Sequence, residues 1–114
     1  MANVIKILAQ AFPSAASATT LYTVPSTSTS TTVSSIVVCN QSATATSFRI
    51  WLRQGSASDG STQYIYYDVP IAGNDTFVFT GGITLSSTSG TADNIRIYAT
   101  LGTLSFNLFG VETT

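Results

Sequence analysis

Short runs of alternating apolar and polar residues dominate the chain. Ile36, Val38 and Asn40 alternate with Val37 and Cys39; Phe48, Ile50 and Leu52 alternate with Arg49, Trp51 and Arg53. The same period of two recurs at residues 64–69, 76–80, 95–100 and 104–111, with further candidates at 4–10 and 21–24. Successive side chains of a strand point to opposite faces, so each run predicts a half-buried β-strand. Residues 83–85 extend the run at 76–80 beyond a bend at Gly81-Gly82, because paired glycines weaken a strand and mark bulges. No window of ten residues carries a helical period. The weak candidate at 4–11 is stopped by Pro13.

The gaps between runs read as turns. Residues 55–62 form a loop that turns at Asp59-Gly60, and Pro70 ends a strand. Gly73-Asn74 supplies residues that tolerate positive φ, and residues 86–92 form another Ser/Thr/Gly loop. Gly102-Thr103 has the spacing of a tight hairpin. The low-complexity run at 26–32 reads as a surface loop or an extended edge. About eight strands with short links predict an all-β domain. The arrangement is an antiparallel β-sandwich, jelly-roll or Ig-like, or a closed barrel. The expected core is Ile36, Val38, Phe48, Ile50, Leu52, Ile65, Tyr67, Phe77, Phe79, Ile95, Ile97, Leu104, Phe106 and Leu108. Residues 1–20 are expected to be an N-terminal strand or arm, and residues 21–114 the sandwich, in a single domain overall. Lys6, the apolar stretch 7–12 and the small residues 14–18 also follow the order of a short export signal. Gln10 and Pro13 interrupt that order and favour a first strand.

Composition narrows the function. Nine of 114 residues are charged, 8%, against about 25% in an ordinary domain. Sixteen Ser and 19 Thr carry small hydroxyls, and 12 aromatics exclude a disordered chain. Four scattered cations and a net charge of −1 cannot neutralise a run of phosphates, so no nucleic-acid partner is expected. No apolar run is long enough to span a bilayer as a helix. The single Cys39 forms no internal disulfide and is expected to be a small buried hydrophobe.

Candidate chemistry is thin. Without histidine there is no imidazole base for a serine or cysteine nucleophile. A Ser–Lys dyad could use only Lys6, near a terminus. The five acids suit turns and cross-strand pairing better than a paired-carboxylate cleft: Asp59, Asp75 and Asp93 lie at turns, and Asp68 can pair with Arg49, Arg53 or Arg96. No spacing calls for a metal, a cofactor or a small-molecule substrate. Asn40-Gln41-Ser42 and Asn74-Asp75-Thr76 are glycosylation triplets expected by chance in so hydroxyl-rich a chain.

One surface constellation is specific. In Arg49-x-Trp51-x-Arg53 three side chains share one face of one strand, and Arg and Trp are the types enriched at binding hot spots. The alternative is that Trp51 is a core residue framed by arginines. Tyr64, Tyr66 and Tyr98 are expected on the same second face. Together with Trp51 they exceed what a monomer leaves in water, so the candidate interface is Arg49, Trp51, Arg53, Tyr64, Tyr66 and Tyr98. Flat rings of this kind also suit stacking on sugars, so a carbohydrate-binding domain is a further alternative.

The ordered segments LYTVP (21–25), SSIVVCNQS (34–42), FRIWL (48–52), YIYYDVPI (64–71), NDTFVFTGGITL (74–85), IRIYAT (95–100) and LSFNLFGVE (104–112) cover most of the chain. In this phrasing it resembles small virion structural proteins of tailed bacteriophages, including phages of cyanobacteria. The resemblance implies a β-rich fold, an assembly role and no enzyme activity. It implies a place in the virion, either on the capsid surface as a cement or decoration protein, or in the tail, baseplate or fibre. The expected partners are the major capsid protein or other virion subunits and further copies of the chain, as a dimer or trimer. The N-terminal stretch is expected to reach over a neighbour by strand pairing.

Overall fold

The computed structural model describes residues 2–25, 30–55, 57–87 and 91–114. The expected loop positions 26–29, 56 and 88–90 lie outside the described residues. Nine strands form among the described residues: β1 (Asn3–Ala11), β2 (Thr19–Thr23), β3 (Ser30–Asn40), β4 (Thr46–Arg53), β5 (Tyr64–Ile71), β6 (Thr76–Phe79), β7 (Ile83–Ser86), β8 (Asn94–Ala99) and β9 (Leu104–Thr113). A single 3₁₀ turn, Ser61–Gln63, precedes β5.

All pairings are antiparallel and make two sheets. One runs β1-β9-β3-β6, with β7 also on β3; the other runs β2-β8-β4-β5. β6 and β7 pair with the two halves of β3, Phe79 opposite Ile36 and Ile83 opposite Val33. They are therefore one strand broken at Gly81-Gly82, as the paired glycines predict. Counted so, eight strands divide between two four-stranded sheets in the order of a jelly roll. The sheets pack as a sandwich and do not close into a barrel. Most short links cross between the sheets. The link at Gly102-Thr103 is one of these: β8 and β9 lie in different sheets, so the expected hairpin is an inter-sheet corner. A link this short joins either two paired strands or two facing layers, and here it splits the strands between layers so that their inner faces cover each other.

The inner faces follow the alternation. Phe48, Ile50, Ile95, Ile97, Leu104, Phe106 and Leu108 are fully buried. Phe48 sits centrally, its ring 5.2 Å from Phe77 and 6.2 Å from Phe106 across the sandwich. Two expected core residues are exposed instead, Ile65 at 38% and Tyr67 at 57%. The register of β5 on β4 shifts twice, on either side of Ile50, and Asp68 takes φ 51°. These irregularities break the period, so Tyr66 turns inward beside Phe77 and Phe79, 5.1 and 5.7 Å between ring centroids.

A row of irregularities also crosses the first sheet. The register shifts past Leu8 in β1 and past Ser34 in β3, level with the β6–β7 break. In β3 the extra residue keeps Val33 and Ile36 both facing inward. Gly110 lies in this row. A Cβ there would stand 2.1 Å from the Thr32 carbonyl oxygen and 3.0 Å from the Val33 Cα, so only glycine lets β9 approach β3. β3 also begins within the low-complexity run: Ser30, Thr31 and Thr32 are strand, and Thr31 is buried because its hydroxyl bonds Tyr22. Residues 3–11 form an edge strand of the sandwich itself.

Candidate functional site

The two outer faces differ in chemistry. On the second sheet, β4 places Arg49, Trp51 and Arg53 on one face, opposite Tyr98, Arg96 and Asn94 of β8. Arg49 is fixed on three sides. Its Nε donates to Asp68 Oδ1 at 2.6 Å and its Nη2 to Oδ2 at 3.2 Å. Its guanidinium lies 4.2 Å from the Tyr67 ring centroid and 4.7 Å from that of Tyr98. The Asp68 hydrogen bond raises the Arg49 pKa above its already high ordinary value, so this charge is permanent. Asp68 is thus the cross-strand partner expected from the sequence.

Trp51 is 2% exposed. Its ring packs 5.0 Å from Tyr64, Arg96 lies over it at 5.9 Å, and its Nε1 donates to Asp59 Oδ1 at 2.9 Å. The free tryptophan face expected of a hot spot is therefore covered, and the core-like alternative describes it better. Tyr66, placed on this face by simple alternation, belongs to the interior, and burial raises its pKa. Arg49, Arg53, Tyr64 and Tyr98 remain on the outer face, each half-buried.

Sequence reasoning missed Asp59 as an organiser. The loop before β5 folds back over the sheet, held by Arg53 Nε donating to the Ala57 carbonyl at 2.6 Å and Gln63 Nε2 donating to that of Ser58 at 2.8 Å. This brings the Asp59 carboxylate to 3.6 Å from both Arg53 and Arg96. Asp-Gly signals a turn, and nothing in the local sequence shows that the turn lands on a tryptophan eight residues back in β4. Between the loop and β5 lies an open cavity of about 410 Å³, lined by Asp59, Gly60, Ser61, Tyr64 and Tyr67.

The outer face of the first sheet carries no charge among the described residues. The charged residues of its strands are Lys6 and Glu112, and both leave this face. Lys6 Nζ stands 2.8 Å from Glu112 Oε1, and Tyr22 OH donates to Glu112 Oε2 at 2.5 Å. Burial raises the Glu112 pKa, but the bonds from Lys6 and Tyr22 and the Lys6 charge outweigh it, holding the carboxyl below its ordinary value. Burial and the Glu112 carboxylate raise the Tyr22 pKa, so Tyr22 stays a donor.

Outward from this sheet, Ile5 pairs across from Val111, Ile7 from Phe109, and Val37 from Val78. Ile5 is 84%, Ile7 55% and Val78 55% exposed; Phe12 adds 56% just beyond β1. Cys39, expected to be buried, lies half-exposed on this face between Ser105 and Thr76, because the phase set by Ile36 and Val38 turns it outward. Among the described residues no group of His, Cys, Asp or Glu could hold a metal ion, and no helix is long and apolar enough to cross a membrane.

No protein-family model and no curated protein matches the sequence. Among solved structures, the chain is similar to one described as the structure of infectious bursal disease virus, Gx strain, with a TM-score of 0.57 at 11% identity. The match covers 98% of this chain and 33% of that one, so the chain spans about a third of that protein's length. A likeness at this identity is one of fold.

Proposed function

We propose that the chain is a structural subunit of a virus particle, and more narrowly a cement protein of a tailed-bacteriophage head that clamps neighbouring major capsid subunits. The observation that carries this reading is the outer face of the β1-β9-β3 sheet. Ile5 and Ile7 on β1 and Val78 on β6 stand more than half-exposed at the two edges of this sheet, with no charged side chain on the face between them among the described residues. Exposed apolar side chains on an uncharged face suit a contact surface. A low-charge subunit can also be repeated closely in a lattice without strong repulsion. The fold-level likeness to a solved structure of infectious bursal disease virus is compatible with a place in a virus particle. Association is driven by apolar burial, about 25 cal/mol per Å² before the cost of ordering the partners. The chain acts by binding other virion subunits and further copies of itself, and no reaction takes place on it.

The test is to prepare particles without the protein, by deleting its gene or stripping it, and to challenge them with heat and osmotic shock. Loss of resistance, restored by adding the chain back, is the expected result. Heads that keep full resistance overturn the clamp. A copy number of a few multiples of three or six, in place of hundreds, moves the protein to the tail.

A further inference from the structure

The cavity beside Tyr67 has the chemistry of a sugar site. Tyr67 was expected inside the sandwich and is instead 57% exposed. An exposed tyrosine ordinarily moves between rotamers, but this one is held. The Arg49 guanidinium lies 4.2 Å from its ring, and the Tyr64 ring meets it at 86° with 4.9 Å between centroids. The result is a rigid aromatic wall beside an opening of about 410 Å³.

The opposite wall is polar. Asp59 accepts one hydrogen bond, from Trp51 Nε1 to Oδ1, while its two arginine neighbours stand at 3.6 Å. A carboxylate has about four acceptor positions, so Oδ2 keeps capacity for a hydroxyl hydrogen. Ser61 and Gly60 line the same opening. Nearby cations already have partners: Arg49 donates to Asp68, Arg53 to the Ala57 carbonyl and Arg96 to the Thr20 hydroxyl, and Arg53 and Arg96 also face Asp59 at 3.6 Å. An anion would meet the Asp59 carboxylate in this opening. A pyranose ring offers an apolar C–H face to an aromatic wall and hydroxyls to acceptors at its rim, which matches the two walls in kind.

We propose that Tyr67, Tyr64, Asp59 and Ser61 form a binding site for a neutral pyranose sugar. The site lies on the sheet opposite the proposed lattice face, so one subunit can dock and hold a glycan at the same time. It does not depend on the particle reading, because the test uses the isolated full chain.

The probes are methyl glycosides of glucose, galactose and mannose, N-acetylglucosamine, and glucuronic acid as the anionic comparison. Saturation-transfer NMR and titration read binding at millimolar sugar. At least one neutral sugar is expected to bind, and more tightly than glucuronic acid. Tyr67→Ala should weaken it about tenfold, through loss of the stacking ring. Tyr67→Phe keeps the ring and should bind within about twofold. Buried Trp51 emission confirms that each variant keeps this face folded. No binding by any neutral sugar, preference for glucuronic acid, or binding that survives Tyr67→Ala would each overturn the site.

Discussion

Placing one carboxylate on the uncharged face separates docking from folding. Ile5 is 84% exposed in an edge strand, so Ile5→Glu changes little in the isolated chain, within about 0.5 kcal/mol. Docked against a neighbour, the same side chain would be covered beside Val111, its cross-strand partner, with no free cation in reach among the described residues. Lys6, next in sequence, points to the other side and is held 2.8 Å from Glu112. Burying an isoleucine contributes about 1.5–3 kcal/mol, so Ile5→Ala should weaken attachment roughly tenfold or more. Ile5→Glu adds the cost of an unpaired buried charge, about 3 kcal/mol or above, for a loss beyond about a hundredfold. The assay adds each purified variant to particles lacking the protein and measures bound copies by sedimentation, with denaturant melts run in parallel. The reasoning predicts the order wild type, Ile5→Ala, Ile5→Glu in affinity at nearly equal stability. Wild-type attachment by Ile5→Glu would refute the assignment of this face.

Other consequences concern the fold that presents the two faces. Gly110→Ala places a Cβ against the Thr32 backbone, which cannot yield as a side chain can, and should cost about 2 kcal/mol or more in denaturant unfolding. The depressed Glu112 pKa means its stabilisation is fully present above the ordinary glutamate value and is lost as pH falls through the lower folded value. Acid titration of stability should therefore show a decline on the acid side of about pH 4 that Glu112→Gln reduces. The lone Trp51, 2% exposed, should emit at short wavelength and resist acrylamide quenching until the chain unfolds. Removing its hydrogen bond to Asp59 in Trp51→Phe should cost about 1–2 kcal/mol, read by denaturant melts followed by circular dichroism.

The parts legible in the sequence are those where one physical rule acts alone. Alternation located the strands because their inner faces must be apolar, and twelve of the fourteen expected core residues lie in or against the core; Ile65 and Tyr67 do not. Both misplacements fall in β5, where Asp68 takes positive φ and the register slips. Asp is permitted in that conformation, but nothing obliges it, so the slip leaves no mark in the residue pattern. The Gly81-Gly82 break was visible because paired glycines have few other uses in a strand. The sheet to which each strand belongs was hidden, since a short link serves a hairpin and an inter-sheet corner equally well. Thr31 falls in a run that reads as a surface loop or an extended edge because its neighbours are hydroxyls; its burial goes with a bond to Tyr22, nine residues away.

The candidate site was legible in type and displaced in position. Arg49 and Tyr98 stand where alternation put them, but Trp51 is sealed by a loop whose landing place is a tertiary fact. Asp59 closes that seal and drew attention only as a turn residue. Ile5, Ile7 and Val78 read as ordinary strand residues in the sequence, because their exposure becomes evident only when β1 and β6 lie at the two edges of the sheet.

A reconstruction of the virus particle at side-chain detail tests the central claim most directly. The account predicts hundreds of copies on the head, each with Ile5, Ile7 and Val78 covered by neighbouring subunits and the Tyr67 cavity turned to solvent. Copies whose β1-β9-β3 outer face lies open to water, or particles that contain no such chain, would contradict it.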